Sequence, residues 1–426
     1  MLDFGIILAK ALFVVILCLS LVPVLVWLER KGSAIIQDRI GPNRASIGFI
    51  RLGGLVHLVA DAIKLFFKED ITPSSVNRFY YYLAPFIAGA VSLMTFAVIP
   101  FADNLKIGEK VIHMQVLNID AGLLWFFAIV SLSVYGIVFA GWSSNSKFPL
   151  LGGIRSAAQM LSYEIPMGLS VIGLLMLSGT VHLNDIVQQQ GELLWGFIPK
   201  WGIFVQPIGA IIFIICAFAE TNRTPFDLAE GESELVAGFH TEYSSMKFGL
   251  FFMAEYVAMV VSSALITTLY LGGWQVPFLN TESLMANYKI LMQASLVAGS
   301  LATFFIGYRL YQYHENHRYR WKDSRDYEGL IFSTIASLIG ITLIGVLVLI
   351  SFIELPSWAP AVFAFSAQVG IFLFKVFFMC WMFVWVRWTL PRFRYDQLMN
   401  LGWGTLLPLA LANIFITGVV MLFLGV

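Results

Sequence analysis

The chain reads as an all-α polytopic membrane protein of about ten transmembrane helices, on three observations. Of its 426 residues 59% are hydrophobic and only 12% charged, against roughly 25% charged in soluble domains, and the mean hydropathy is +0.81. Apolar runs of about 20 residues recur along almost the whole length. Each is long enough to cross a hydrocarbon core about 30 Å thick as a helix, the form that satisfies its own backbone in lipid. Lys and Arg, finally, gather on alternate loops.

The expected spans are 5–28, 80–100, 120–140, 158–181, 201–221, 248–271, 286–308, 329–353, 363–386 and 402–424. Residues 1–28 are taken as the first span and not as a leader. No basic segment precedes the apolar run, and Glu29-Arg30-Lys31 stands where a small-residue cleavage site would. With the loop after that span cytoplasmic, the cytoplasmic loops hold twenty Lys and Arg and the opposite loops three, Lys106, Lys110 and Lys200. The excess of positive charge fixes the orientation, with both termini expected on the outer side. No polar block remains for a soluble domain, so 1–426 is expected to be a single integral membrane domain. The loops differ in length and sign from end to end, which argues against a transporter built from two repeated halves.

Zero formal net charge gives no footprint for nucleic acid. Cys18, Cys216 and Cys380 lie inside apolar runs without CxxC spacing, so no iron–sulfur cluster and no other bound metal is expected on this chain. No nucleophile–His–acid set or phosphate-binding loop is present, and the isolated chain is expected to catalyse nothing.

Two segments carry the chemistry. Over 53–69, Leu55, Leu58, Val59, Ala62, Ile63 and Phe66 form one helical stripe and His57, Asp61, Lys64 and Lys68 the other. This predicts an amphipathic helix in the interface plane, either a plain anchor or the wall of a polar cavity. Glu164, Glu220 and Glu255 lie within or at the ends of spans, where ionisable groups are costly and usually functional. Lys375 or a nearby Arg could pair with them as a structural alternative. The cytoplasmic loop 220–247 adds Asp227, Glu230, Glu232, Glu234 and Glu242, so 220–242 holds six carboxylates against Arg223 alone. Carboxylates this close titrate collectively, which suits a proton relay. They interleave with Pro225-Phe226, Leu228-Ala229 and Leu235-Val236-Ala237, so packing against membrane helices is favoured over free solvation.

The run from Glu220 to Glu234, ETNRTPFDLAEGESE, resembles the signature of the H-type membrane component of proton-pumping NADH:quinone oxidoreductase, respiratory complex I. Four further segments agree in order: Glu29-Arg30-Lys31 through Gly41-Pro42-Asn43-Arg44, Asp61 to Glu69, Arg155 through Tyr163-Glu164, and Arg387 through Gln397. The resemblance implies a subunit of the bacterial inner membrane forming much of the cavity through which a lipid-soluble quinone, the substrate, reaches a cluster held by a neighbour. It implies that Arg30, Gln37, Arg39, Asp61, Tyr256, Arg387 and Arg392 line or flank that cavity. Tyr163, Glu164, Glu220, Asp227, Glu230, Glu232, Glu234 and Glu255, with Lys375, would carry the proton coupling. The implied partners are the hydrophilic cluster-bearing arm, the adjacent small membrane subunits, quinone and membrane lipid. Two departures stand out. The family usually has Gln where this chain has His57, and it typically has eight spans, so 280–360 is read as an inserted two-helix hairpin around a basic loop. The equivalent subunit of a related membrane hydrogenase or dehydrogenase is the alternative, and an independent ion transporter a more distant one.

Overall fold

The computed structural model describes residues 2–48, 51–107, 110–194, 196–229, 231, 238–317, 324–353 and 355–424. Its helices in chain order are α1 (Leu2–Ile36), α2 (Val56–Phe67), α3 (Arg78–Thr95), α4 (Gly122–Ser131), α5 (Ser133–Ser143), α6 (Lys147–Ser178), α7 (Leu183–Gln189) and α8 (Gly202–Val205). They continue as α9 (Pro207–Glu220), α10 (Ser245–Tyr270), α11 (Thr281–Ala286), α12 (Tyr288–His317), α13 (Glu328–Phe352), α14 (Ala359–Thr389), α15 (Tyr395–Asn400) and α16 (Leu407–Leu424). Two short antiparallel hairpins, β1 (Leu105–Ile107) with β2 (Lys110–Ile112) and β3 (Leu193–Leu194) with β4 (Ile198–Pro199), close loops on the expected outer side.

Among the described residues nine helices are long and apolar enough to cross a membrane. The remaining expected span, 201–221, is interrupted: α9 has 14 residues, and α8 is a separate single turn. Pro207 is the reason. It has no N–H to continue a ladder from α8, and its fixed φ suits the first position of a helix. Gln206, at the break, donates to Thr417 Oγ1 at 2.9 Å and accepts from Asn413 Nδ2 at 3.1 Å, so its amide is satisfied inside an apolar run. The expected span 120–140 is α4 and α5 meeting at Leu132, and Gly122–Ser143 together count as one of the nine.

The chain divides into two compact units. The first comprises Met1–Leu28, Lys64–Phe278 and Gln368–Val426. Within it α6 packs on α5, α9 and α16, and α3 packs on α5 and α10. Small residues permit these approaches, the usual means of helix packing in lipid. A Cβ on Gly136 would lie 3.1 Å from Ala88 N, one on Gly141 2.5 Å from Pro149 O, and one on Gly152 2.6 Å from Phe239 N. The last contact seats the end of the acidic loop on α6.

The second unit comprises Glu29–Ile63 and Leu279–Ala367. Its α12 and α13 pack against each other as a helix pair. Ser333 Oγ donates to Gly307 O at 2.8 Å, and a Cβ on Gly329 would lie 3.0 Å from His314 Cβ and one on Gly340 3.0 Å from the Phe304 ring. Only 11% and 6% of their apolar windows are buried, against 61% for α10, so most of both helices is left for lipid or a partner. The amphipathic segment is helical over Val56–Phe67, and its apolar residues Val59, Ile63 and Phe66 are exposed.

Candidate functional site

Glu220 ends α9, and the chain then reverses through Asn222, whose φ of +50° is one that Asn tolerates better than most residues. The reversal places Arg223 against α10. Its Nε lies 2.7 Å from Glu255 Oε1, with side-chain exposures of 2% and 11%, and its Cζ lies 4.0 Å from the centroid of the Tyr256 ring. A charge so buried is tolerable only when paired in this way, and the aromatic face adds a cation–π contact. Gln159, from α6, donates through Nε2 to Ala219 O at 2.8 Å and to Asn222 Oδ1 at 3.1 Å. It thereby ties the turn to α6, adding a side-chain donor to a carbonyl that also accepts Asn222 N at 3.3 Å.

Glu220 and Glu255 line one cavity of about 60 Å³ together with Ser92, Ser133, Thr221 and Asn222, its other walls being apolar. That is room for water beside the two carboxylates. Glu164, one turn beyond Met160 of the same wall, is within electrostatic reach of Glu220, and its Oε1 accepts a hydrogen bond from Ser131 Oγ. The helix break at Leu132 therefore brings both a hydroxyl partner for Glu164 and a polar lining residue, Ser133, to this point.

Asp227 faces elsewhere. Its Oδ1 is 3.8 Å from Arg392 Nη2. Between the two chain segments Phe226 stands with its ring 5.3 Å from that of Tyr163 and 5.3 Å from that of Phe393, and Phe393 N donates to Pro225 O at 3.1 Å. Tyr163 OH donates to Leu398 O at 2.8 Å. The signature loop is thus bound to the 392–398 segment, and the acids read from sequence as one cluster part into a cavity pair with Glu164 and a separate Asp227–Arg392 contact. Glu230, Glu232 and Glu234 lie outside the described residues. The backbone carbonyl of Glu242 accepts from Tyr81 OH at 2.6 Å.

Lys375 does not share this site. Its Nζ donates to the carbonyls of Leu271, Gly273 and Gln275 at 2.8, 3.0 and 2.8 Å and lies 4.8 Å from the Trp201 ring. Leu271 is sixteen residues along α10 from Glu255, about 24 Å at 1.5 Å per residue. Of the two partners the sequence offered for a buried acid, Glu255 takes the arginine.

Of the residues expected at a quinone cavity, four belong to the second unit. Arg30 Nη1 pairs with Asp61 Oδ2 across α1 and α2, and Arg39 Nε donates to Gln37 Oε1 at 2.6 Å. His57 uses Nε2 to accept the N–H groups of Arg44 and Ala45 at 2.9 and 3.1 Å, so it pins the turn after α1 to the amphipathic helix. The other three are in the first unit: Tyr256 beneath Arg223, Arg392 near Asp227, and Arg387 in the last turn of α14.

One assembly escaped the sequence reading. Tyr243 stacks on Tyr81 with centroids 4.2 Å apart and donates to Tyr81 O at 3.1 Å. Lys247, buried beside them, pairs with Asp70 at 2.9 Å and donates to Thr72 Oγ1 at 2.8 Å. Burial pushes the Tyr243 phenol up to about 12, opposed by the Ser143 hydroxyl. The only sequence signal was an aromatic Tyr80-Tyr81-Tyr82 run, and nothing in it named a partner 162 residues away.

The chain matches the family model described as NADH dehydrogenase over residues 9–322 and 324–418. It is 42% identical over 390 residues to an NADH-quinone oxidoreductase H subunit of Cytophaga hutchinsonii, covering 92% of this chain and 89% of that protein. It is 43% identical over 415 residues to an H subunit of the same enzyme from Solibacter usitatus, covering 96% and 95%. With NADH-quinone oxidoreductase subunit 8 of Rhodothermus marinus it shares 40% over 393 residues, 92% and 90% of the two chains. By these matches the chain belongs to the NADH dehydrogenase family.

Proposed function

We propose that the chain is a membrane subunit of a proton-translocating NADH-quinone oxidoreductase, forms much of the quinone-access cavity, and couples quinone reduction to proton movement through its carboxylates. The names and coverage of its relatives support the complex. The coupling role rests on one observation: Glu220 and Glu255 line a single small cavity, with Arg223 bound to one of them. Reducing a quinone to its quinol takes two electrons and two protons, so charge and proton demand change at the cavity with every turnover. In this reading the electrons come from a cluster on a partner subunit, and this chain supplies positioning and proton handling. A proton arriving on Glu255 weakens its hold on Arg223 and changes the charge at the cavity that Glu220 shares, so one titration is passed to the next. Glu164, held by Ser131, continues the series into the bilayer. Asp227 and Arg392 form the link from the signature loop toward the quinone end.

The partners in this reading are the cluster-bearing hydrophilic arm, the adjacent small membrane subunits and the lipid of a bacterial inner membrane, with both termini outward. Glu220→Gln and Asp227→Asn in the assembled complex test it. Each is expected to lower both quinone reduction and proton translocation several-fold while the complex keeps its full set of chains. Wild-type values for both variants would end the relay.

A further inference from the structure

The contacts of Glu328, the first residue of α13, are unlike those of the rest of the helix pair, most of whose surface is exposed and apolar. Its Oε1 accepts the N–H of Arg51 at 2.8 Å and its Oε2 the N–H of Gly53 at 3.3 Å. The turn it holds is an unusual one. Leu52, Gly53 and Gly54 have φ of +51°, +59° and +97°, three successive residues in the left-handed region. A leucine pays about 1–2 kcal/mol for that conformation, and such strain persists only where surroundings impose it. Successive N–H groups in such turns converge on an anion, and the anion here is the Glu328 carboxylate.

The turn is in contact with the end of α1. A Cβ on Gly54 would fall 2.2 Å from Pro42 O and 3.3 Å from Lys31 Cε, and one on Gly41 would fall 2.8 Å from Ala34 Cβ. Lys31 Nζ donates to Ile40 O at 3.2 Å, and Arg39 N donates to Ala34 O at 2.8 Å. From Glu328 to Arg39 the path therefore passes through backbone groups and residues with no space to give. On the other side the same turn leads directly into α2, which carries His57 and Asp61.

We propose that Glu328 is a positioning residue for the quinone reaction: through the Arg51–Gly54 turn, the helix pair holds the segment bearing Gln37 and Arg39 in the shape that admits quinone. This rests on the reading of Gln37, Arg39 and Asp61 as quinone-cavity residues. It also gives the α12–α13 pair a task within the unit it belongs to.

The test uses the intact complex in its membrane, normalised by NADH oxidation with ferricyanide. Glu328→Ala, Glu328→Gln and, as a control on the cavity, Asp61→Asn are compared for the KM and kcat of a short-chain quinone and for hydrogen exchange over residues 44–55. Glu328→Ala is expected to raise the quinone KM about fivefold, the factor carried by one lost hydrogen bond, with kcat within about twofold and faster exchange at Arg51 and Gly53. Glu328→Gln, which keeps one acceptor oxygen, falls between it and the wild type, a gradation that mere misfolding does not produce. Unchanged exchange in Glu328→Ala overturns the proposal. So does faster exchange with an unchanged KM while Asp61→Asn raises KM, and then the cavity reading survives. If Asp61→Asn also leaves KM unchanged, the cavity reading falls and the proposal falls with it.

Discussion

Arg223 holds Glu255 at 2.7 Å with its guanidinium on the Tyr256 ring, so one residue of the signature loop neutralises an acid of α10 almost wholly out of solvent. Glu255 in turn lines the cavity that Glu220 also lines. Removing one partner strands a buried charge, whereas removing both does not.

Arg223→Gln is therefore expected to cost about 3–5 kcal/mol of stability, read as a lowered thermal transition of the purified complex. The double variant Arg223→Met/Glu255→Leu should recover more than half of that loss. A double variant as unstable as the two single losses combined would show that the residues do not act as a pair.

His57→Gln should be tolerated, because an amide oxygen can accept both N–H groups that Nε2 now accepts from Arg44 and Ala45. His57→Leu leaves them without that acceptor and is expected to cost about 1 kcal/mol. Hydrogen exchange at Arg44 and Ala45 separates the two: faster in the leucine variant, near wild type in the glutamine variant. Equal acceleration in both would mean that the ring's shape, and not its acceptor, holds the turn.

The Tyr243 phenol is neutral when protonated, and burial raises its pKa from 10.0 to about 12. The sign follows: this group's contribution to stability is complete below pH 10 and is lost as pH rises toward about 12. Tyr243→Phe should flatten the fall in stability across that window, at a cost near neutrality of about 1 kcal/mol for the lost bond to Tyr81 O. An unaltered alkaline profile would contradict the assignment.

A cysteine introduced by His317→Cys, at the end of α12, should react with an impermeant thiol reagent from the cytoplasmic side alone. The three native cysteines are buried and should add little background. Reaction from the outer side would overturn both the orientation and the reading of α12 and α13 as two crossings.

Helical hydropathy, the alternation of basic loops and the 220–234 signature were enough to read an all-α membrane protein and its family, because lipid leaves the backbone few forms and each apolar run announces itself locally. The acids too were legible, since a carboxylate in an apolar run is conspicuous wherever the chain goes. Their partners were not. Arg223 with Glu255, Ser131 with Glu164 and Asp227 with Arg392 join residues from 32 to 165 positions apart, and no periodicity encodes such a pairing. The same holds for the breaks at Leu132 and Gln206 and for the cage of carbonyls around Lys375. Composition and pattern decide which residues enter the membrane; only the packing of helices on small residues decides which polar groups meet there, because each must find its hydrogen bonds among whatever neighbours the close approaches bring.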